Sequence, residues 1–296
     1  MTTTRWLGRQ GFGAMRLRDG AESGSDRDPI AVINAALDVG LIMIDTADAY
    51  ENEELVGGAI RSRRDEVLLA SKFGLVWTGD VAGGFDVRAD PAYVQTACER
   101  SLRRLNVDVI DLYYLHHRSD QVPIEATVEA MAALVEQGKV RRLGLSNVTA
   151  EDLRRATTVH PIAALQHEWS LTQREIEHQL VPAATELGVT VVAHSPTRHG
   201  ELHRASSPDR SYRDGLIKTL HAIAEAHGVS PGQVALAWVH HRELAHAVPV
   251  VPLPGTTSVA HVRANAAAAD ITLSRDEVQR LDSWGSPNQG VDPAPQ

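Results

Sequence analysis

Short apolar, β-branched runs alternate with helix-length patterns from one end of the chain to the other. The runs fall at 41–44, 66–70, 109–115, 140–145, 162–165, 189–193 and 248–251, and a weaker stretch, Gly11-Phe12-Gly13-Ala14-Met15, can lead the series. Helical patterns lie between them at 29–39, 52–63, 91–104, 124–138, 150–158, 174–187 and 258–268. Strands joined through helices pair in parallel, because the crossover returns the chain to the same end of the sheet. Most of the runs are apolar throughout, which is what a strand covered on both faces requires. Eight such units in 296 residues predict an α/β fold, a single-domain (β/α)8 TIM barrel spanning 1–296. The competing architecture, an open doubly wound sheet, would carry G-x-G-x-x-G after its first strand, and Gly8, Gly11 and Gly13 have the wrong spacing.

Boundary chemistry supports this partition. Asp90-Pro91 puts a cap residue before a proline at the first helical position. Thr149-Ala150-Glu151-Asp152 reads as a capping box. Gly40, Gly138 and Gly188 stand where a helix must stop before the next strand. The remaining segments read as a polar loop at 17–28, a long loop at 73–90, a mobile loop Pro196–Tyr212 and a polar tail after Trp284.

Composition narrows the partners. A net charge of −9 argues against nucleic acid, whose phosphates need a basic face. No apolar run reaches the roughly 18 residues of a membrane span, and Met1-Thr2-Thr3-Thr4-Arg5-Trp6 has no apolar signal core. Cys98 is the single cysteine, which excludes an internal disulfide and a thiolate metal cage. Neither His240-His241 nor Gln166-His167-Glu168-Trp169 has the partners a metal site needs, so no metal is expected. A cytoplasmic enzyme acting on a small molecule is the expectation.

Active sites of such barrels form where the strands end. Asp45 and Tyr50 follow the run 41–44, Lys72 follows 66–70, and His116 follows 109–115. These four residue types can deliver a proton to a carbonyl oxygen. Tyrosine is a weak acid with a pKa near 10, and a neighbouring ammonium stabilises its anion. Lys72 can supply that charge and Asp45 can hold Lys72. His116 can place the substrate oxygen beside the Tyr50 hydroxyl. None of these groups is redox-active, so the electrons call for a nicotinamide hydride donor. Singly, each residue could equally be a cap, a surface group or a satisfied core polar group. A Tyr-x-x-x-Lys dehydrogenase is ruled out, since the pair is missing.

The chain resembles the aldo-keto reductase superfamily from near Gly11 to near Trp284. The resemblance lies in Ile44-Asp45-Thr46-Ala47-Asp48-Ala49-Tyr50, Leu69-Ala70-Ser71-Lys72-Phe73-Gly74, and Ile110-Asp111-Leu112-Tyr113-Tyr114-Leu115-His116. It continues in Gly138-Lys139-Val140-Arg141-Arg142-Leu143-Gly144-Leu145-Ser146-Asn147 and Val251-Pro252-Leu253-Pro254-Gly255-Thr256-Thr257. It implies reversible reduction of an aldehyde or ketone by NADPH, with NADH still open. The hydride would leave nicotinamide C4 and the proton would come from Tyr50. The family's tetrad maps onto Asp45, Tyr50, Lys72 and His116, with His117 left either lining the substrate pocket or in a solvated loop.

The same resemblance implies a cofactor bed. Ser146, Asn147 and Gln166 would meet the nicotinamide carboxamide, although Ser146-Asn147 also reads as a helix cap. His194, Ser195 and Pro196 follow the seventh strand, with His194 where the family usually has a stacking tyrosine. A weaker or pH-dependent grip on the cofactor is expected there. Gly255, Thr256 and Thr257 would bind the adenosine 2′-phosphate through backbone N–H groups at the following helix start. Asn265 would reach the adenine. Relatives carry Lys or Arg near Thr257, and here the nearest basic candidates are His261 and Arg263. Trp77 and Phe85 are either substrate-pocket aromatics or packing for their own loop. An alternative function is a subunit that binds the cofactor and senses redox state with little turnover.

Overall fold

The computed structural model describes residues 6–78, 84–203 and 212–284. Eight strands form one sheet: β1 (Gly11–Gly13), β2 (Met43–Asp45), β3 (Leu68–Phe73), β6 (Ile110–Leu115), β7 (Val140–Ser146), β8 (Ile162–Glu168), β9 (Thr190–His194) and β10 (Val250–Leu253). All seven pairings between neighbours in that order are parallel. The two ends meet where Gly13 N–H donates to the Pro254 carbonyl at 3.1 Å and Gly13 bridges Gly255 in parallel. A Cβ on Gly255 would sit 2.7 Å from the Gly13 carbonyl oxygen, so the closure demands glycine there. The fold is therefore the (β/α)8 barrel that the alternation predicts.

Helices α1 (Pro29–Asp38), α2 (Glu53–Ile60), α3 (Pro91–Leu105), α4 (Ile124–Glu136), α5 (Ala150–Val159) and α6 (Leu180–Leu187) ring the sheet. Four more follow: α7 (Tyr212–His227), α8 (Pro231–His246), α9 (Val259–Ala267) and α10 (Arg275–Asp282). The caps read from sequence are present. Asp90 accepts from Tyr93 N–H with Pro91 at the start of α3, and Thr149 and Asp152 close a capping box on α5. Gly40, Gly138 and Gly188 all have φ between 67° and 81°, the left-handed region that ends a helix.

Several segments differ from expectation. The pattern 174–187 breaks into a 3₁₀ turn, Glu175–Glu177, and the shorter α6. The segment 73–90 is not one loop but carries an antiparallel hairpin, β4 (Leu75–Trp77) with β5 (Phe85–Val87). Helices α7 and α10 were not read from sequence, and of α8 only the helical pattern at His240-His241 was, since α8 is buried nearly all round (Val234 to Val239 have no exposed residue) and lacks a polar stripe to set its period. The described part of Pro196–Tyr212 holds a 3₁₀ turn, Arg198–His203, while 204–211 and the tail after Trp284 lie outside the described residues.

Two apolar cores follow from the strand alternation. Outward side chains such as Ile44, Leu69, Tyr113 and Leu145 pack under the helices. Inward ones, including Met43, Ala70, Leu112, Tyr114, Ala164, Val192 and Val251, fill the barrel, with Leu7 and Trp6 packed against them. Tyr114 takes so much of this space that a Cβ on Gly144 would lie 2.3 Å from its ring.

Candidate active site

The two-residue period that fills the barrel also builds its rim. Counting two residues up from the inward positions Met43, Ala70, Gly144, Ala164 and Val192 reaches Asp45, Lys72, Ser146, Gln166 and His194. His116 is two residues beyond inward Tyr114. Register brings these together, since Asp45 pairs Ala70, Lys72 pairs Tyr114 and Ser146 pairs Gln166. Tyr50 arrives differently, on a 3₁₀ turn Asp48–Tyr50 that ends with Glu51 left-handed at φ 56°.

The four proton-handling residues converge. Lys72 is 0 % and Asp45 2 % exposed, and Lys72 Nζ donates to Asp45 Oδ1. Lys72 Nζ also donates to the Thr46 carbonyl at 3.0 Å and to Tyr50 Oη at 3.3 Å. Gln166 Nε2 donates to Asp45 Oδ2 at 2.9 Å. The His116 ring meets the Tyr50 ring edge-on, centroids 5.6 Å apart. His116 is held at both backbone ends: its N–H donates to the Phe73 carbonyl at 2.9 Å, and its carbonyl accepts from Asn147 Nδ2 at 3.0 Å.

Electrostatics sets the protonation states. Burial pushes the Lys72 ammonium down, but the Asp45 carboxylate overrides it and holds the pKa above the ordinary lysine value. Burial pushes Asp45 up, against Lys72 and Gln166. Two donors point at the two Asp45 oxygens, and a protonated carboxyl would set a donor against a donor, so the pair is ammonium and carboxylate. Burial lowers His116 to about 2, helped by Lys72, so its imidazole is neutral. Its Nδ1 is buried without a partner among the described residues.

Tyr50 departs from expectation. Burial raises its pKa, and the pull of Lys72 does not reverse this, because Lys72 is already shared with Asp45 and because Asp45 and Asp48 add negative charge. The phenol is thus firmly protonated, a stored donor rather than a phenolate.

A second layer went unread in the sequence. Glu53 Oε1 accepts from Ser71 Oγ at 2.6 Å, and its Oε2 accepts from Arg104 Nη2 at 2.6 Å and Nε at 2.8 Å, tying α2, β3 and α3 together beside Lys72. Asn52 joins Thr46 Oγ1 at 2.7 Å to the Ala14 carbonyl at 2.8 Å. Asp48 is pushed up to about 7 by burial and by Glu53, and its Oδ1 has no partner among the described residues. The only signal was a second carboxylate within the Asp45–Tyr50 stretch.

The remaining candidates spread along the rim. Asn147 (φ 52°) and Ser195 (φ 51°) sit left-handed just past β7 and at the end of β9, strain of a kind that clusters at binding sites. Asn147 Nδ2 also donates to Ser146 Oγ at 3.0 Å, and His194 Nδ1 lies 3.2 Å from Ser195 Oγ, with Pro196 next in the chain. Gly255, Thr256 and Thr257 precede α9, which carries His261 and, one turn on, Asn265. Three backbone N–H groups of this helix start already have partners within the protein. Val259 N–H donates to the Asp26 carbonyl and Ala260 N–H to Asp26 Oδ1, both at 2.9 Å, and His261 N–H donates to Ser258 Oγ at 3.3 Å. Trp77, Phe85 and His117 form a ladder of rings, Trp77–Phe85 at 6.1 Å and Phe85–His117 at 5.3 Å, continuing to His116 at 5.9 Å. Trp77 Nε1 donates to the Ala49 carbonyl at 3.3 Å, so the hairpin leans over the Tyr50 turn. The aromatic pair therefore both packs its hairpin and faces the rim.

Among the described residues no group of three His, Cys, Asp or Glu side chains is placed to hold a metal ion, and no helix is long and apolar enough to cross a membrane. A hollow of about 720 Å³ between α8 and α10, lined by His241, Leu244 and Asp282, contains none of the rim residues.

Comparison with known proteins agrees with this geometry. The model of the aldo/keto reductase family matches residues 10–285. A crystal structure of an aldo-keto reductase from Klebsiella pneumoniae in complex with NADPH is 36 % identical, with 95 % of this chain and 92 % of that one covered and a TM-score of 0.78. Another from Klebsiella pneumoniae, in complex with NADP and acetate, is 34 % identical over 96 % of this chain and 93 % of that one, TM-score 0.76. A glycerol dehydrogenase from Gluconobacter oxydans is 27 % identical over 98 % and 95 %, TM-score 0.84. A rim of strand ends carrying a buried Asp45–Lys72 pair against Tyr50, inside a chain matched almost end to end, has one conclusion: the protein belongs to the aldo/keto reductase family.

Proposed function

We propose that the protein reduces an aldehyde or ketone to an alcohol with NADPH, and runs in reverse when alcohol and NADP⁺ are in excess. The observation that carries this reading is the chain Asp45–Lys72–Tyr50, with the neutral His116 ring beside the phenol. NADPH is favoured over NADH by the similarity to reductases crystallised with NADPH and NADP.

The donor set fits a nicotinamide carboxamide. Asn147 Nδ2 is committed to the His116 carbonyl and Ser146 Oγ, which leaves the Asn147 side-chain oxygen as acceptor and the Ser146 hydroxyl as donor. These match the amide N–H and carbonyl of the group. Gln166 holds Asp45 with its N–H, so its part is to orient the ion pair. When bound, the cofactor supplies a hydride to the carbonyl carbon.

The chain's own residues manage the proton. His116 and the Tyr50 hydroxyl offer hydrogen bonds to the substrate oxygen. As negative charge gathers on that oxygen, the Tyr50 proton moves to it, so the products are an alcohol and the oxidised cofactor. The phenolate left behind faces Lys72 Nζ at 3.3 Å, and the ammonium that could not lower the resting pKa now stabilises the charged state. Asp45 keeps Lys72 charged and aimed. The test is Tyr50→Phe, assayed for loss of NADPH absorbance over a panel of aldehydes and ketones and for NADPH binding. The expected result is turnover lowered by about 10²–10⁴-fold with binding near that of the unaltered protein. Unchanged turnover would remove Tyr50 as the acid.

A further inference from the structure

We infer that Arg27, in the loop between β1 and α1, supplies the cation that selects the adenosine 2′-phosphate of NADPH. The inference rests on the reductase reading above and concerns where this chain finds a charge that it lacks at the expected place. The segment Pro254-Gly255-Thr256-Thr257-Ser258 carries no Lys or Arg. The start of α9 has no spare backbone donors at Val259, Ala260 or His261. An anion arriving there cannot draw on those three amides, which leaves a place for side-chain donors.

The loop after β1 brings one. Asp26 spans onto α9, its Oδ2 accepting from Ser258 Oγ at 2.7 Å and its Oδ1 from Ala260 N–H at 2.9 Å. Its carboxylate is satisfied by these donors, which hold its pKa below the usual carboxylate range. The clamp sets the next residue, Arg27, against the phosphate segment, with Nη1 3.4 Å from Thr257 Oγ1. Asp28 pins the other side of the loop, accepting from Gly24 N–H at 2.6 Å and from Ile30 N–H at 3.0 Å as the cap of α1. Arg27 is exposed, and among the described residues no carboxylate is within ion-pair distance of its guanidinium. Thr256 Oγ1 and His261 Nδ1 lie 3.5 Å apart on the same edge. A guanidinium, two threonine hydroxyls and an imidazole so placed match a phosphate monoester, whose oxygens a guanidinium fork engages in pairs. The adenosine of NADH offers a neutral hydroxyl there and gains nothing from the charge.

The test is calorimetric titration of the full-length protein with NADP⁺ and with NAD⁺, before and after Arg27→Ala and Arg27→Lys. Arg27→Ala should weaken NADP⁺ binding by about tenfold or more and change NAD⁺ binding by less than about twofold, as expected when a charge-assisted hydrogen bond to one group is lost. Arg27→Lys should recover part of the loss, because the charge returns without the fork. Equal loss for both nucleotides would show a general role of the loop and overturn the inference. So would unchanged NADP⁺ binding, or a preference of the unaltered protein for NAD⁺. Failure of the unaltered protein to bind either nucleotide would instead sink the reductase reading itself.

Discussion

Replacing Lys72 by methionine tests the buried pair at the centre of the site. Asp45 is 2 % exposed and has two donors, Lys72 Nζ on Oδ1 and Gln166 Nε2 on Oδ2. Lys72→Met removes the charge and one donor, leaving a desolvated carboxylate on a single amide. Breaking a buried pair from one side costs about 3–5 kcal/mol. For a chain of this size that lowers the melting temperature on the order of 10 °C. The deficit has a sign in pH. Without Lys72 the folded Asp45 carboxyl is raised above its unfolded value of about 3.9, so the folded state holds a proton that the unfolded state releases. The destabilisation is therefore small below about pH 4 and grows as the pH rises through the neutral range. Urea unfolding followed by circular dichroism at pH 5 and pH 8 reads both effects. Adding Asp45→Asn to Lys72→Met should regain more than half of the lost stability, because no buried charge remains, while turnover stays lost. A single variant within about 1 kcal/mol of the parent at both pH values would refute the reasoning. So would a double variant no more stable than the single one.

Two further outcomes follow from the packing. Gly144→Ala forces a Cβ to within 2.3 Å of the Tyr114 ring in a filled barrel, so thermal unfolding should show a loss of about 1–3 kcal/mol; an unchanged melting temperature would mean that Tyr114 has room to turn. Asp48→Asn should stabilise the protein at pH 8, since the raised carboxyl of the parent, near 7, must be ionised there at a cost in the folded state. Partial exposure reduces the gain to about 1–2 kcal/mol, and denaturation at pH 5 and pH 8 should show it shrinking as the pH falls toward the unfolded carboxylate value. A gain equal at both pH values would assign the effect to packing.

Much of the molecule was legible in one dimension because its signals are local. Strand runs, the Asp90 and Thr149 caps and the glycines at 40, 138 and 188 each obey rules acting within a few residues; the caps and glycines stand as read, while several strands are displaced or extended toward the C-terminus, so that Asp45 and Lys72 lie inside β2 and β3 and do not follow them. The hairpin Leu75–Trp77 with Phe85–Val87 was missed because its two strands are three residues each, too short for a period to show. Helix α8 was read only at His240-His241 and its bounds were not, because burial on nearly all sides erases the polar stripe that marks a helix.

The sequence by itself determined which residues could do proton chemistry and that they stand at or near strand ends; the barrel decided how they act, because desolvation and distant neighbours exist only once the chain is folded. The ammonium of Lys72 was correctly matched to Tyr50, yet burial and two carboxylates raise the phenol rather than lower it. At the start of α9, Asp26 takes the Ser258 hydroxyl and the Ala260 N–H from 232 residues earlier than Ser258, a contact that no local pattern announces. Local patterns carry backbone geometry, whereas charge in a low-dielectric site depends on every group within a few ångströms, wherever in the chain it comes from.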